Sequence, residues 1–271
     1  MIACDFYITG AETFTAEPWG YRCGRIINID HHAPTPRMAR LVSSANLALL
    51  WAREKGHAGA TDRVVINHTD CDSVLSSGIV TGELEPLAAF GQAALAADHS
   101  GKPDPIADLL QALDARRDYD LSLRNLRCLL DGATLEPEAQ AALDVRLGKR
   151  ATAAQLVAQG RFTHIGPLAF AVLEEAVDGE FFPALLPQAT LIVMCSPRPQ
   201  ELAHWNVKLR LGQAAPDGFS LHDLHLREFD EHYGGRWNAG SNKRGGGTSL
   251  TPEAYAAGIA ARLQALLRRP A

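Results

Sequence analysis

Short apolar runs that end abruptly in acidic and histidine residues restrict the fold of this chain more than any other feature. Three such places fall within ~70 residues. Arg25-Ile26-Ile27-Asn28-Ile29 leads into Asp30-His31-His32. Arg63-Val64-Val65-Ile66-Asn67 leads into His68-Thr69-Asp70-Cys71-Asp72-Ser73. The run from Leu87 to Ala97 leads into Asp98-His99. Strand-like runs alternating with helix-like runs give a βαβα order, and hence a parallel sheet flanked by helices. Functional residues in such sheets gather beyond the carboxyl ends of the strands, and these clusters, each following a strand or a helix, are compatible with that rule.

Strands are expected over residues 3–9, 25–29 and 64–67, and helices over 43–53 (with a Ser start signal), 72–81 and 85–97. A proline-rich loop is expected over 31–36. Residues 104–159 read as mostly helical, with Asp114 to Asp118 on a solvated face. Further strands are expected over 168–174, 189–195 and 206–211, the last from its period-2 alternation, and a helix over 221–232. Thr251 followed by Pro252 marks the start of a last helix. The 271 residues, 46% of them apolar, suffice for two domains. The division expected is 1–150, an α/β catalytic domain, and 151–271, a smaller α/β domain.

The net charge of -5, with both signs mixed along the chain, argues against a protein drawn to nucleic acid by bulk positive charge. No apolar run approaches the ~20 residues of a bilayer span, so no membrane partner is expected. Met1 to Asp5 lacks the basic start and apolar stretch of an export signal. The five cysteines form no CxxC. They are expected to be reduced thiols in a cytoplasmic protein. The residues say nothing about oligomeric state.

Massed carboxylates and imidazoles are costly to bury unpaired, and a divalent cation offsets that cost. Asp70 and Asp72, two residues apart just past a strand, can serve two neighbouring ions. Asp98 can close the site, and His31 can supply a nitrogen. Mixed imidazole and carboxylate ligation suits manganese, zinc or iron-type ions better than calcium. Two such ions would activate water for in-line attack on phosphorus. Each piece alone also has a plainer explanation, since Asp-x-Asp is common and Asp72-Ser73 can cap a helix. The segment 234–247 holds six glycines with Arg236, Asn238, Lys243 and Arg244. Glycines allow close backbone approach, and guanidinium forks suit phosphate; a surface loop is the alternative. His99 beside Asp98 joins these four as a candidate substrate-binding residue.

These motifs resemble the DHH phosphoesterase superfamily with a DHHA1-like C-terminal domain. Asp30-His31-His32 resembles the name-giving motif, Asp70-Cys71-Asp72-Ser73 the Asp-x-Asp-Ala/Ser motif, Asp98 the later metal-binding aspartate, and Gly234 to Gly240 the GGHxxAAG loop. The order differs: Asp-x-Asp comes first in the family and second here, as a circular permutation would produce. The motif histidine, often four residues before the first aspartate, is matched by His68 two residues before Asp70. Arg236 stands at the family's usual histidine. The resemblance implies two divalent ions, with manganese the first choice, held by Asp5 (as the bridging aspartate), His31, His68, Asp70, Asp72 and Asp98. It implies that His32 faces the substrate and that Asp30 orients a histidine. The activity expected is hydrolysis of a small phosphorylated molecule or nucleotide by metal-activated water. The alternatives are a hydrolase of short oligonucleotides or polyphosphate, and a non-catalytic nucleotide- or nucleic-acid-binding module.

Overall fold

The computed structural model describes residues 1–32, 41–199, 201 and 203–268. Beyond His32, the proline-rich loop expected over 31–36 lies outside the described residues. The chain divides into two compact units, Met1–Gly148 and Lys149–Ala271. Each is a sheet with helices.

In the first unit the sheet has the order β2-β3-β4-β1-β5. Strand β1 (Ile2–Cys4) lies parallel to β4 (Ile26–Ile29) on one side and to β5 (Val64–Val65) on the other. Strands β2 (Thr15–Glu17) and β3 (Gly20–Cys23) extend the sheet antiparallel from β4. The sheet is therefore mixed, not parallel throughout as expected. Only Gly24 and Arg25 separate β3 from β4, and a parallel pairing needs a crossover of a dozen residues or more. The register sets up the site: Cys4 pairs with Ile29, so Asp5 and Asp30 leave the same end of the sheet side by side.

Helix α1 (Ser44–Lys55) starts at a capping box in which Ser43 and Asn46 satisfy each other's backbone N–H, an arrangement worth about 1 kcal/mol. Helix α2 (Cys71–Thr81) is capped by Asp70, whose side chain accepts the Ser73 N–H. It is buried along almost its whole length, and α1 packs against it. Helix α3 (Ala88–Leu95) passes into a π-helical turn, Ala96–Ser100, that ends at Gly101 with φ +66°. Helices α4 (Pro105–Leu113), α5 (Tyr119–Leu130) and α6 (Pro137–Ala158) follow. Ile2, Ile29, Leu75, Ile79 and Phe90 form the core of the unit. Each is fully or almost fully buried, which contributes roughly 1.5–3 kcal/mol per side chain.

The second unit is a sheet of order β10-β11-β9-β8-β7-β6. Strand β6 (Thr163–Ile165) pairs antiparallel with β7 (Leu168–Val172), which runs parallel to β8 (Leu191–Pro197). Helix α7 (Phe182–Leu185) is one turn. Strand β9 (Trp205–Leu211) pairs antiparallel with β8 and with β11 (Ala239–Ser241), and β11 pairs antiparallel with β10 (Gly234–Gly235). The helix expected over 221–232 is instead a 3-10 turn, Leu221–Leu224, and the single turn α8 (Leu226–Phe229). His225, at φ +47°, interrupts it, because a left-handed residue cannot continue a right-handed helix. Helix α9 (Pro252–Leu267) starts at Thr251 with proline in its first turn. Among the described residues no helix is long and apolar enough to cross a membrane.

Candidate metal centre

Asp5 lies at the middle of the histidine and aspartate cluster. It is 1% exposed, and it leaves β1 with φ +60°, a conformation that costs a non-glycine residue about 1–3 kcal/mol. Buried contacts hold it there. Its Oδ1 accepts the Ser44 hydroxyl at 2.9 Å and its Oδ2 the Ser73 hydroxyl at 2.7 Å. The same oxygens face different histidines: Oδ1 is 3.7 Å from His31 Nε2, and Oδ2 is 3.2 Å from His68 Nε2.

On the Oδ2 side, His68 Nε2 also lies 3.2 Å from Asp70 Oδ2. On the Oδ1 side, His31 Nε2 lies 3.3 Å from Asp98 Oδ2 and 3.6 Å from Asp72 Oδ2. The π-helical turn carries Asp98 and His99 to this place. Three sets, Asp5/His68/Asp70, His31/Asp98/His99 and Asp5/His31/His32, each bring one ligand atom per residue within 4.8 Å of the others. The first side is the more open: the side chains of His68 and Asp70 are 35% and 20% exposed, against 3% and 0% for His31 and Asp72.

His32 Nδ1 sits 2.8 Å from Asp30 Oδ1. His99 is tethered by Nε2 to the Val42 carbonyl at 3.1 Å, with its ring edge-on to His31. Asp72 has a second task that its position in the sequence does not announce. Its two oxygens accept the Ser44 and Ala45 N–H groups, at 2.6 Å each, so it binds the first turn of α1 rather than capping its own helix.

The protonation of this cluster reflects too many carboxylates for too little positive charge. Burial, with the charges of Asp72 and Asp70, raises Asp5 well above the usual carboxylate range. Burial raises Asp72 to about 6, with His31 pulling it down and Asp98 pushing it up. Burial works against charge on His31, but Asp98, Asp72 and Asp5 overcome it and lift the imidazole to about 10. Hydrogen bonds to Asp5 and Asp70 lift His68 to about 10, against its burial. Protons therefore stand where a cation would relieve the same repulsion.

Whether the donor set fits a divalent ion is decided by His31. The residue is buried, and among the described residues neither ring nitrogen has a partner in hydrogen-bond geometry, Nε2 having only the ion-pair approach of Asp98 at 3.3 Å. A buried imidazole in a packed core ordinarily has a partner. Here Nε2 points among three carboxylates, an arrangement that fits an ion.

The glycine-rich segment belongs to the second unit. Gly235 pairs with Gly240 across the β10–β11 hairpin. A Cβ on Gly235 would meet the Gly240 backbone, and one on Gly240 would meet the Tyr233 hydroxyl, so close strand packing is one reason for these glycines. Arg236, Lys243 and Arg244 are exposed, while Asn238 is buried with its carbonyl accepting the Leu211 N–H at 2.8 Å. A cavity of about 870 Å³ lies beside the hairpin, lined by Arg244 together with Lys208, Arg210 and Arg227. Sequence reasoning missed these last three cations, although the period-2 alternation of β9 already places Lys208 and Arg210 on one face. It also missed Ser44, which carries no motif signal.

No protein-family model and no curated protein matches the chain. Among solved structures it is similar to a pGpG-specific phosphodiesterase, PggH from Vibrio cholerae. The identity is 12% and the TM-score 0.42, over 81% of this chain and 74% of that one.

Proposed function

We propose that the protein is a divalent-metal-dependent phosphoesterase acting on a small phosphorylated molecule of nucleotide size. The observation that carries this reading is the buried His31 imidazole aimed among Asp98, Asp72 and Asp5, with the other oxygen of Asp5 facing His68, which also faces Asp70. Asp5 is then shared between two ion sites. Manganese is the proposed ion. Bound there, such ions supply Lewis acidity toward a phosphoryl oxygen and make water nucleophilic at neutral pH.

The remaining roles belong to the chain's own groups. Asp30 engages His32 Nδ1 and so orients the ring, which gives a proton to the departing oxygen. His99, fixed to Val42, borders His31 and contacts the substrate beside it. In the second unit Arg236, Lys243 and Arg244 supply permanent charge for phosphate, and Asn238 supports them from within the hairpin. The test is a panel of inorganic pyrophosphate, a nucleoside 3′,5′-bisphosphate, linear and cyclic dinucleotides, short RNA and simple monophosphates. Chelator-stripped protein should hydrolyse none of them, and added manganese should restore turnover on at least one small member. Undiminished hydrolysis after stripping, or none with manganese, would defeat the reading.

A further inference from the structure

We infer that Ser44 is a positioning residue that sets one of the two ion sites, the one formed by His31, Asp72 and Asp98; the inference rests on the metal-centre reading above. Ser44 is fully buried as the first residue of α1. It touches three candidate ligands that come from three separate parts of the chain. Its N–H donates to Asp72 Oδ2 at 2.6 Å, its hydroxyl donates to Asp5 Oδ1 at 2.9 Å, and its Oγ accepts the His31 N–H at 3.2 Å.

The direction of the two backbone bonds is fixed. A backbone N–H can only donate, so Oγ accepts from His31 with one lone pair, and its single proton remains for the ionised Asp5 carboxylate, the form that would hold an ion. That bond fixes the rotation of the Asp5 carboxylate. Ser73 does the same for Oδ2, so each oxygen of the shared carboxylate is keyed by its own serine: Oδ1 on the His31 side, Oδ2 on the His68 side. Helix formation alone does not call for this hydroxyl. The N–H of any residue but proline at position 44 would serve Asp72, and the helix cap is made by Ser43, whose side chain, among the described residues, bonds within its own turn to Asn46. The hydroxyl of Ser44 is thus spent on the ligands. Partners that orient metal ligands typically change metal affinity 10–100-fold when removed.

The experiment is a manganese titration of chelator-stripped full-length protein, read as bound ion per chain against free ion, for wild type, Ser44→Ala and Ser43→Ala. Wild type should take up two ions. Ser44→Ala should keep one at wild-type affinity and bind the other about 10–100-fold more weakly. Ser43→Ala should keep both and lose only thermal stability. If Ser44→Ala does not fold, Ser44→Cys, close in size with a weak thiol donor, is read in the same way. Wild-type affinity for both ions in the Ser44 variants would overturn the inference. So would equal weakening of both ions, or as large a loss in Ser43→Ala. A wild-type chain that binds no ion would instead overturn the metal-centre reading itself, and the Ser44 role with it.

Discussion

Asp72→Asn separates the two tasks of Asp72, and the structure sets the size of each. Asparagine keeps one acceptor oxygen for the α1 amides and turns a donor toward the other N–H. Losing one of the two 2.6 Å bonds, both charge-assisted, costs about 1.5–3 kcal/mol. An opposing effect comes from burial, which with Asp98 lifts the Asp72 carboxyl from 3.8 to about 6. The ionised form is therefore disfavoured in the ion-free fold. Asparagine removes that penalty. The two effects oppose each other, so at pH 8 the ion-free variant should lose less than the bond alone would cost, about 3 kcal/mol, a shift of a few degrees in Tm. Hydrolysis has no such compensation: without the carboxylate charge, turnover under saturating manganese should fall more than ~100-fold. Urea unfolding of the stripped proteins and turnover with manganese measure the two quantities. A loss above about 4 kcal/mol with turnover retained would show that Asp72 only bolts α1 to α2, and the ligand assignment would fail.

Other outcomes follow from the same geometry. The ion-free protein should lose stability as pH rises, because Asp72 (about 6, against 3.8) and His31 and His68 (about 10, against 6.5) bind protons more tightly folded than unfolded. Their contribution is complete below the unfolded values and is lost as pH climbs through about 6 and then about 10. Excess manganese, which displaces the same protons, should flatten this dependence, and an unchanged slope in urea unfolding from pH 5 to 10 would contradict it. His31→Ala should lower bound metal by elemental analysis, whereas His32→Ala should keep the metal and lose rate; equal metal loss would refute that division of labour. Arg244→Ala should raise KM with metal content intact, and wild-type kinetics would take the cavity beside the hairpin off the substrate's path.

What could be read from the residues was local. The run Ile26–Ile29 before Asp30-His31-His32, Ser43 before α1, and Thr251-Pro252 before α9 are short-range signals, and the structure forms elements at each. The limits were set by longer-range contacts. Asp70, rather than Asp72-Ser73, caps α2, while Asp72 reaches back 27 and 28 residues to the α1 amides, and no window of sequence carries that. The left-handed Asp5 has its side chain held by Ser44 and Ser73, which lie 39 and 68 residues away. The π-helical turn at Ala96–Ser100 follows helix α3 without a break in the sequence that marks it, yet it is what carries Asp98, 3.3 Å from His31. The antiparallel pairing of β3 with β4 follows from a two-residue connection that a βα rhythm overlooks. Lys208 and Arg210 were on a recognisable strand, but which of its faces borders a cavity depends on the neighbouring hairpin.

The central claim, two ions sharing Asp5, is tested most directly by anomalous X-ray diffraction from manganese-soaked crystals at the manganese edge. The account predicts two strong peaks, one among His31, Asp72 and Asp98 and one beside His68 and Asp70, with Asp5 contacting both. Manganese peaks confined to other parts of the molecule, or none at all at millimolar manganese, would contradict it.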